Sequence, residues 1–147
     1  MAKLMLSSGW FHFAILDNLG RVTTHPCPFC QLPKERVIFE SEVTLAFLDA
    51  YPVTEGHGLV IPKRHVVSIF DLSLDELAVL WSDVAAVRRL LTEQYHPDAF
   101  NIGVNDGQPA GQTVPHAHVH VIPRRKGDVA DPRGGIRWII PEKASYW

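Results

Sequence analysis

The sequence predicts an α+β domain built on an antiparallel sheet, and three observations predict it. Residues 116–121 alternate histidine with small apolar residues, which is the period of a strand. One long segment, Leu74 to about Tyr95, carries apolar residues at helical spacing behind a capping signal. Elsewhere, short apolar and β-branched runs are separated by turn signals, the pattern of neighbouring strands joined directly.

A chain of 147 residues has the size of one domain and can bury a sizeable core. With 46% hydrophobic and 20% charged residues it reads as an ordinary soluble globular protein. A formal net charge of −2 gives no sign of a general nucleic-acid or membrane binder. No apolar run approaches the ~18 residues of a membrane span. Lys3 followed by Leu4–Leu6 imitates a signal peptide, but Ser7 and Ser8 interrupt the run, so a cytoplasmic location is expected.

Taken in order, residues 1–24 form an N-terminal extension with an apolar cluster, Trp10–Leu16, and the turn signal Asp17-Asn18-Leu19-Gly20. Cys27-Pro28-Phe29-Cys30 holds the only two cysteines. In a cytoplasmic chain such a CxxC is a redox dithiol, half a zinc site, or a coincidence; Pro33 argues against the following helix that a thioredoxin-type motif needs. A structural zinc wants four ligands, so two more would come from elsewhere, with His25 a local contender. Arg36–Glu40 and Val43–Leu48 read as a hairpin around Ser41-Glu42. Asp49 at its end suits the capping of backbone amides in a turn. Tyr51–His57 is a loop and Gly58–Ile61 a third strand; His57 by itself reads as a solvated loop residue.

Ser73-Leu74-Asp75-Glu76 is a capping box. Behind it Leu77, Leu80, Val84, Val87 and Leu91 form one apolar stripe, with Arg88, Arg89 and Glu93 largely opposite. Trp81 borders the stripe and is expected to pack in the core, with a partner surface as the alternative. Phe100, Ile102 and Val104 alternate in a strand that ends at Asn105-Asp106-Gly107. A Gly- and Pro-rich loop, Asp106–Thr113, leads to the histidine strand, which Pro115 and Pro123 bracket. Arg124-Arg125-Lys126 is a solvated basic run. Residues 127–147 are expected to form an ordered tail packed on the domain, because Trp138, Ile139, Ile140 and Trp147 would otherwise be exposed.

On a pleated strand His116, His118 and His120 share a face at intervals of roughly 6.6 Å, while Ala117, Val119 and Val121 share the other. Such a row of imidazoles is a polar solvated face, a metal site, or a nucleophile with its supports, since neutral imidazole both ligates metals and attacks electrophiles. The run His116-Ala117-His118-Val119-His120-Val121-Ile122 resembles the signature of the histidine triad (HIT) family. Gly111-Gln112-Thr113, Asn105-Asp106-Gly107 and Pro52-Val53-Thr54-Glu55-Gly56-His57-Gly58-Leu59-Val60-Ile61-Pro62 strengthen the match, which covers roughly residues 27–125.

The resemblance implies a HIT-like fold over residues 25–126: a five-stranded antiparallel sheet, one long helix against it, short helical segments, and pairing into a homodimer. It implies hydrolysis or transfer at the α-phosphate of a nucleotide conjugate; no organic cofactor is expected, and the composition points to neither nucleic acid nor membrane as partner. His118 would attack phosphorus and carry a covalent nucleotidyl group, its ring oriented by the His116 carbonyl. His120, Asn105, Gln112 and Thr113 would face the non-bridging oxygens, His120 as part of the catalytic apparatus. Phe29 would lie against the base, Asp49 on a ribose hydroxyl, and His57 beside the nucleotide. In zinc-bearing members the positions matching His65 and His116 complete a structural site with the cysteines, here Cys27 and Cys30. Gly107–Val114 resembles the fragile histidine triad branch, which favours dinucleoside polyphosphates, although a CxxC is not typical of that branch. An adenosine phosphoramidate hydrolase, a nucleotide-binding regulatory protein with little turnover, and a metallohydrolase using all three triad histidines are the alternatives.

Overall fold

The computed structural model describes residues 12–16 and 22–146, with side chains from residue 27 onward. β1 (His12–Leu16) and β2 (Val22–Pro26) pair antiparallel as a sheet of their own, so the expected extension runs into β2. The turn signal at 17–20, Trp10, Trp147 and the His25 side chain lie outside the described residues. The main sheet contains β3 (Val37–Glu40), β4 (Thr44–Leu48), β5 (Gly58–Pro62), β6 (Ala99–Gly103) and β7 (Val119–Arg124). Their order is β3-β4-β5-β7-β6, antiparallel throughout. α1 (Leu74–Tyr95) connects β5 to β6, and short 3-10 turns occupy residues 34–36, 69–71, 108–110 and 135–139. Among the described residues no helix is long and apolar enough to cross a membrane.

α1 starts where its capping box closes: Glu76 N–H donates to Ser73 Oγ, and Ser73 N–H donates to the Glu76 carboxylate. Such a cap is worth about 1 kcal/mol. The helix stops at His96, whose left-handed φ of 47° breaks the repeat. Leu80, Val84, Val87 and Leu91 are buried and form one cluster with Ala46, Val60, Ala117, Val119 and Val121. Each aliphatic side chain buried this way contributes roughly 1.5–3 kcal/mol. Helix and sheet meet closely at Gly58, where an added Cβ would lie 3.0 Å from Leu91 Cδ1. Trp81 is not in this core; it remains 44% exposed, because it sits at the margin of the stripe. Asp83 is buried instead, accepting from Ser41 Oγ at 2.7 Å and Thr44 Oγ1 at 2.8 Å, which ties α1 to the β3–β4 turn.

The helix covers one face of the sheet; the other is open only in part, since Phe47 and Leu59 on it are 2% and 3% exposed. Phe47 pairs with Leu59 and Leu59 with His120, so these three side chains share the open face. Ala117, Val119 and Val121 point to the helix side, as their alternation with histidine predicts. The strand limits differ from expectation. Ladder pairing begins only at Val119; His116 closes a bend, its N–H donating to Val114 O at 2.8 Å, and the segment is anchored by Ala117 N–H to Val66 O at 2.7 Å. Pro123 lies inside β7, opposite Phe100. Its carbonyl faces Thr54 Oγ1 at 2.7 Å, so its missing N–H falls on that same side, beyond the last β5 pair at Gly58.

The tail is ordered but does not bury its large side chains. Arg137 donates to the carbonyls of Lys143 and Ala144, Trp138 Nε1 donates to Arg133 O at 2.8 Å, and Ala144 in α2 (Pro141–Ala144) is fully buried. Trp138, Ile139 and Ile140 nevertheless stay 47%, 74% and 53% exposed. The tail is held by its own polar bonds, and the sheet edge beneath it presents Gly103 and Asn101, which offer little apolar surface to cover them.

Candidate functional site

The open face carries the site, and the histidine segment crosses it at a change of environment. At the first end the fold brings Cys27, Cys30, His65 and His116 together, with one ligand atom from each within 4.8 Å of the rest. His116 Nδ1 lies 3.5 Å from both sulfurs, and His65 Nδ1 lies 3.2 Å from Cys30 Sγ. Tetrahedral zinc, with Zn–S near 2.3 Å and Zn–N near 2.0–2.1 Å, sets sulfur and nitrogen donors about 3.5–3.6 Å apart. The donor chemistry and these three separations suit a closed Cys2His2 site. His116 Nε2 faces Pro62 O at 2.8 Å, and a carbonyl only accepts, so Nε2 carries the proton and Nδ1 is the donor atom turned to the cysteines. Burial above all pushes the His116 pKa down to about 4, against the pull of the Pro62 carbonyl, which keeps it in the neutral, ligating form. Both cysteines are free thiols. Cys30 is exposed as a residue, but its sulfur faces the other donors; desolvation, then the Cys27 thiol, pushes it up to about 12. The Cys30 thiol here resists ionising until a cation is bound to it.

Two residues on, His118 is turned the other way about. Its Nδ1 lies 2.8 Å from the His116 carbonyl. By the same reasoning Nδ1 holds the proton, and the neutral ring keeps the Nε2 lone pair free of that bond. Phe29 stands edge-on to this ring at 5.5 Å between centroids and is itself braced on Phe47 at 5.2 Å. His118 is 5% exposed, so its ring is sheltered from solvent.

The third imidazole belongs to a polar chain. His120 Nδ1 is 3.0 Å from His57 Nε2, and the Val53 N–H donates to His57 Nδ1 at 3.4 Å. If His57 Nδ1 accepts, its Nε2 carries the proton and donates to His120 Nδ1, which leaves His120 with Nε2–H directed outward. Asp49 Oδ2 lies 3.6 Å from His57 Nδ1, too far for a hydrogen bond but close enough to bias its charge. Burial lowers both pKa values, His120 to about 4 with help from His118 and His57, while Asp49 pulls each upward. The pair is neutral near pH 7, and His120 is then a neutral hydrogen-bond donor beside the His118 lone pair, with ring centroids 5.0 Å apart.

The remaining expected residues fall around this centre unequally. Phe29 packs with Phe47, Leu59 and Ile61 into an apolar platform. Asp49 does accept a turn amide, from Tyr51 N–H at 2.9 Å, and its second oxygen faces His57. Gln112 is buried and holds the loop: its Oε1 accepts from Gly107 N–H and its Nε2 donates to Val67 O, both at 2.8 Å, leaving one amide hydrogen. Asn105 lies against Gly111 in the same loop, and Thr113 is exposed. His57 is the residue that local sequence reading undervalues. Its partner is defined by the Leu59–His120 register, which no nearby residue announces.

The HIT domain pattern matches residues 32–127. Over 96 residues the chain is 42% identical to a bis(5'-nucleosyl)-tetraphosphatase [asymmetrical] of Schizosaccharomyces pombe, covering 65% of this chain and 53% of that one. It is 37% identical over 95 residues to a bis(5'-adenosyl)-triphosphatase of Dictyostelium discoideum, covering 65% and 64%. The chain thus spans 53–64% of the length of these two relatives. Among solved structures it is similar to a zinc-bound histidine triad family protein from Mycobacterium smegmatis, with TM-score 0.65, 40% identity, and 71% and 79% of the two chains covered. A member of the HIT family from Bacillus subtilis matches with TM-score 0.65 and 34% identity over 80% of this chain and 88% of that one.

Proposed function

The chain belongs to the HIT domain family, and from that premise we propose that it hydrolyses dinucleoside polyphosphates at the phosphorus next to one nucleoside, through an adduct on His118. The observation that carries this reading is the His118 Nδ1 contact to the His116 carbonyl at 2.8 Å. It commits one nitrogen as a donor and aims the other, with its lone pair, at the open face. The names of the relatives from Schizosaccharomyces pombe and Dictyostelium discoideum support the substrate class.

In the first step His118 Nε2 forms a bond to the α-phosphorus as the bridging P–O bond breaks and the rest of the polyphosphate departs as a nucleotide anion. The ring becomes cationic, and its Nδ1–H to the His116 carbonyl strengthens as it does so. Water then attacks phosphorus, the N–P bond breaks, one proton goes to solvent and the nucleoside monophosphate leaves. His120 Nε2–H donates to a non-bridging oxygen, and Asn105, Thr113 and the remaining amide hydrogen of Gln112 lie on the loop that would border the same phosphate. Phe29 on its apolar platform takes the base face-on, and the Asp49 carboxylate takes a ribose hydroxyl.

The same proposal places one structural zinc on Cys27, Cys30, His65 and His116. When bound it supplies a cross-link between distant segments and no reactive position. His116 then fixes the backbone carbonyl that orients His118, which couples the metal to the nucleophile through one residue. The test is a quench experiment: wild type mixed briefly with diadenosine triphosphate and denatured should carry an adenylyl mass on the peptide containing His118. An adduct on another residue, or turnover with none at any time point, overturns the reading.

A further inference from the structure

Beside His120 the open face of the sheet continues into a cleft of about 1030 Å³ whose outer part the proposed chemistry does not use. Its inner end is lined by His57, His120 and Asn105, its floor by Gly103 and Ile122, and its outer wall by the tail that follows β7. The size is at the upper end of the range for small-molecule sites, roughly 300–1,000 Å³. The outer wall lies beyond residue 127, where the match to the HIT domain pattern ends.

Three observations bear on what the cleft takes. Its charged lining groups are already engaged: Arg124 makes a two-pronged pair with Asp128 at 2.7 and 2.8 Å and also donates to Asn101, while Arg133 pairs with Asp131 at 2.8 Å. The surface left between them is apolar, and large side chains stand exposed on it, Ile136 at 64% and Trp138 at 47%. The tail is also fixed in place. Trp138 Nε1 donates to Arg133 O at 2.8 Å, Arg137 is held by the carbonyls of Lys143 and Ala144, and the Ile136 side chain reaches to 3.6 Å from the position of a Cβ on Gly103. A rigid apolar cleft with an exposed indole, continuous with a phosphate-handling centre, suits a flat heteroaromatic group joined to that centre by a polar link.

We infer that this cleft binds the departing nucleoside of a dinucleotide substrate, with Trp138 stacking on its base. The inference rests on the proposed hydrolase reading and adds to it the residues that distinguish a nucleotide leaving group from a small one. The phosphates stay at the imidazole end, and the second base lies over the tail. Trp138 is on this account a specificity residue and takes no part in bond making.

Two substrates with the same adenylyl half separate the roles: diadenosine triphosphate, whose departing group is a nucleotide, and adenosine 5'-phosphoramidate, whose departing group is ammonia. Trp138→Ala should lower kcat/KM for the first by about ten-fold or more, the size of one base–aromatic stack, and leave the second within about two-fold. The loss should appear in KM, and Trp138→Phe should restore most of it. If Trp138→Ala does not fold, Ile136→Ala on the same wall carries the same comparison. Equal losses on both substrates, or no loss on the first, overturn the inference while leaving the hydrolase reading intact. Wild-type turnover of the phosphoramidate alone also overturns it, and turnover of neither substrate overturns both readings together.

Discussion

His116 and His118 stand two residues apart on one segment, yet the fold gives their rings opposite duties. His116 has both nitrogens committed, Nε2 to the Pro62 carbonyl and Nδ1 toward the two cysteines, and it is 1% exposed. His118 has one nitrogen committed, to the carbonyl of His116 itself, and the other left with its lone pair. The difference lies in what surrounds each position, not in the residue: a CxxC turn docks on the first, and a hydrophobic platform with a neighbouring imidazole pair frames the second. An imidazole with both nitrogens engaged is a strut; one with a single nitrogen engaged is an oriented reagent.

The sharpest way to break this comparison is to remove each ring in turn. His118→Ala should lower turnover by at least ~10²–10⁴ while the protein stays folded and keeps its metal, because it deletes the covalent route and, of the packing, only the contacts of one ring with Phe29 and His120. His116→Ala should lose metal and stability as well as activity. A His118→Ala protein that keeps most of its turnover, or a His116→Ala protein that keeps its metal, would erase the distinction between them.

The chain from His57 to His120 sharpens the comparison on the catalytic side. His120→Ala should cost on the order of 10²–10³ in turnover, the loss of one donor to developing charge. His57→Phe should cost less, on the order of ten-fold, since it leaves the donor and removes only what fixes its tautomer. Steady-state rates on one substrate, with circular dichroism as a control, decide the order; a larger effect at His57 than at His120 would make His57 the donor and His120 its support.

What is legible in the sequence follows from how local each signal is. The period-two histidines, the capping box at Ser73 and the apolar stripe of α1 are contained within a few turns or pleats, and the structure keeps all three. The end of β7 is not legible, because Pro123 reads as a terminator; its tolerance depends on β5 beginning only at Gly58, a tertiary fact. Asp83 reads as part of a polar helix face, and only the approach of Ser41 and Thr44 offsets the cost of its burial. Composition predicts that the tail buries its tryptophan and isoleucines, and it carries no sign that they wall a cleft. For the site residues, the proposed metal donors and the proposed nucleophile come from motifs, whereas the place of His57 beside His120 comes from strand register alone.

On the structural side, Cys30→Ser or exhaustive chelation should remove the metal and lower Tm by on the order of 5–10 °C. Activity should fall only in proportion to the loosening of the His116 carbonyl, a few-fold below the unfolding transition. Zinc content by mass spectrometry and thermal melts check this. A reconstituted wild type without zinc, or a Cys30→Ser protein with unchanged Tm, shows that the four donors hold nothing.

The smallest effect expected is in the pH dependence of stability, and it belongs to the imidazole pair. Burial, then the nearby His118 and His57, depresses His120 from its ordinary 6.5 to about 4, and burial likewise lowers His57, with Asp49 opposing in both. Between these two values the unfolded chain takes up protons that the folded chain refuses, so acid favours unfolding. The contribution is whole above about pH 6.5, declines as the pH falls, and levels off below about pH 4. Acid also releases zinc from thiolates, so the pair must be isolated by difference. His120→Gln keeps a donor and cannot titrate. Its Tm relative to wild type should therefore improve by a few degrees on going from pH 7.5 to pH 5, at equal zinc content. A gap that stays constant across that range would mean the pair is not held neutral by its surroundings, and the outward proton on His120 would lose its basis.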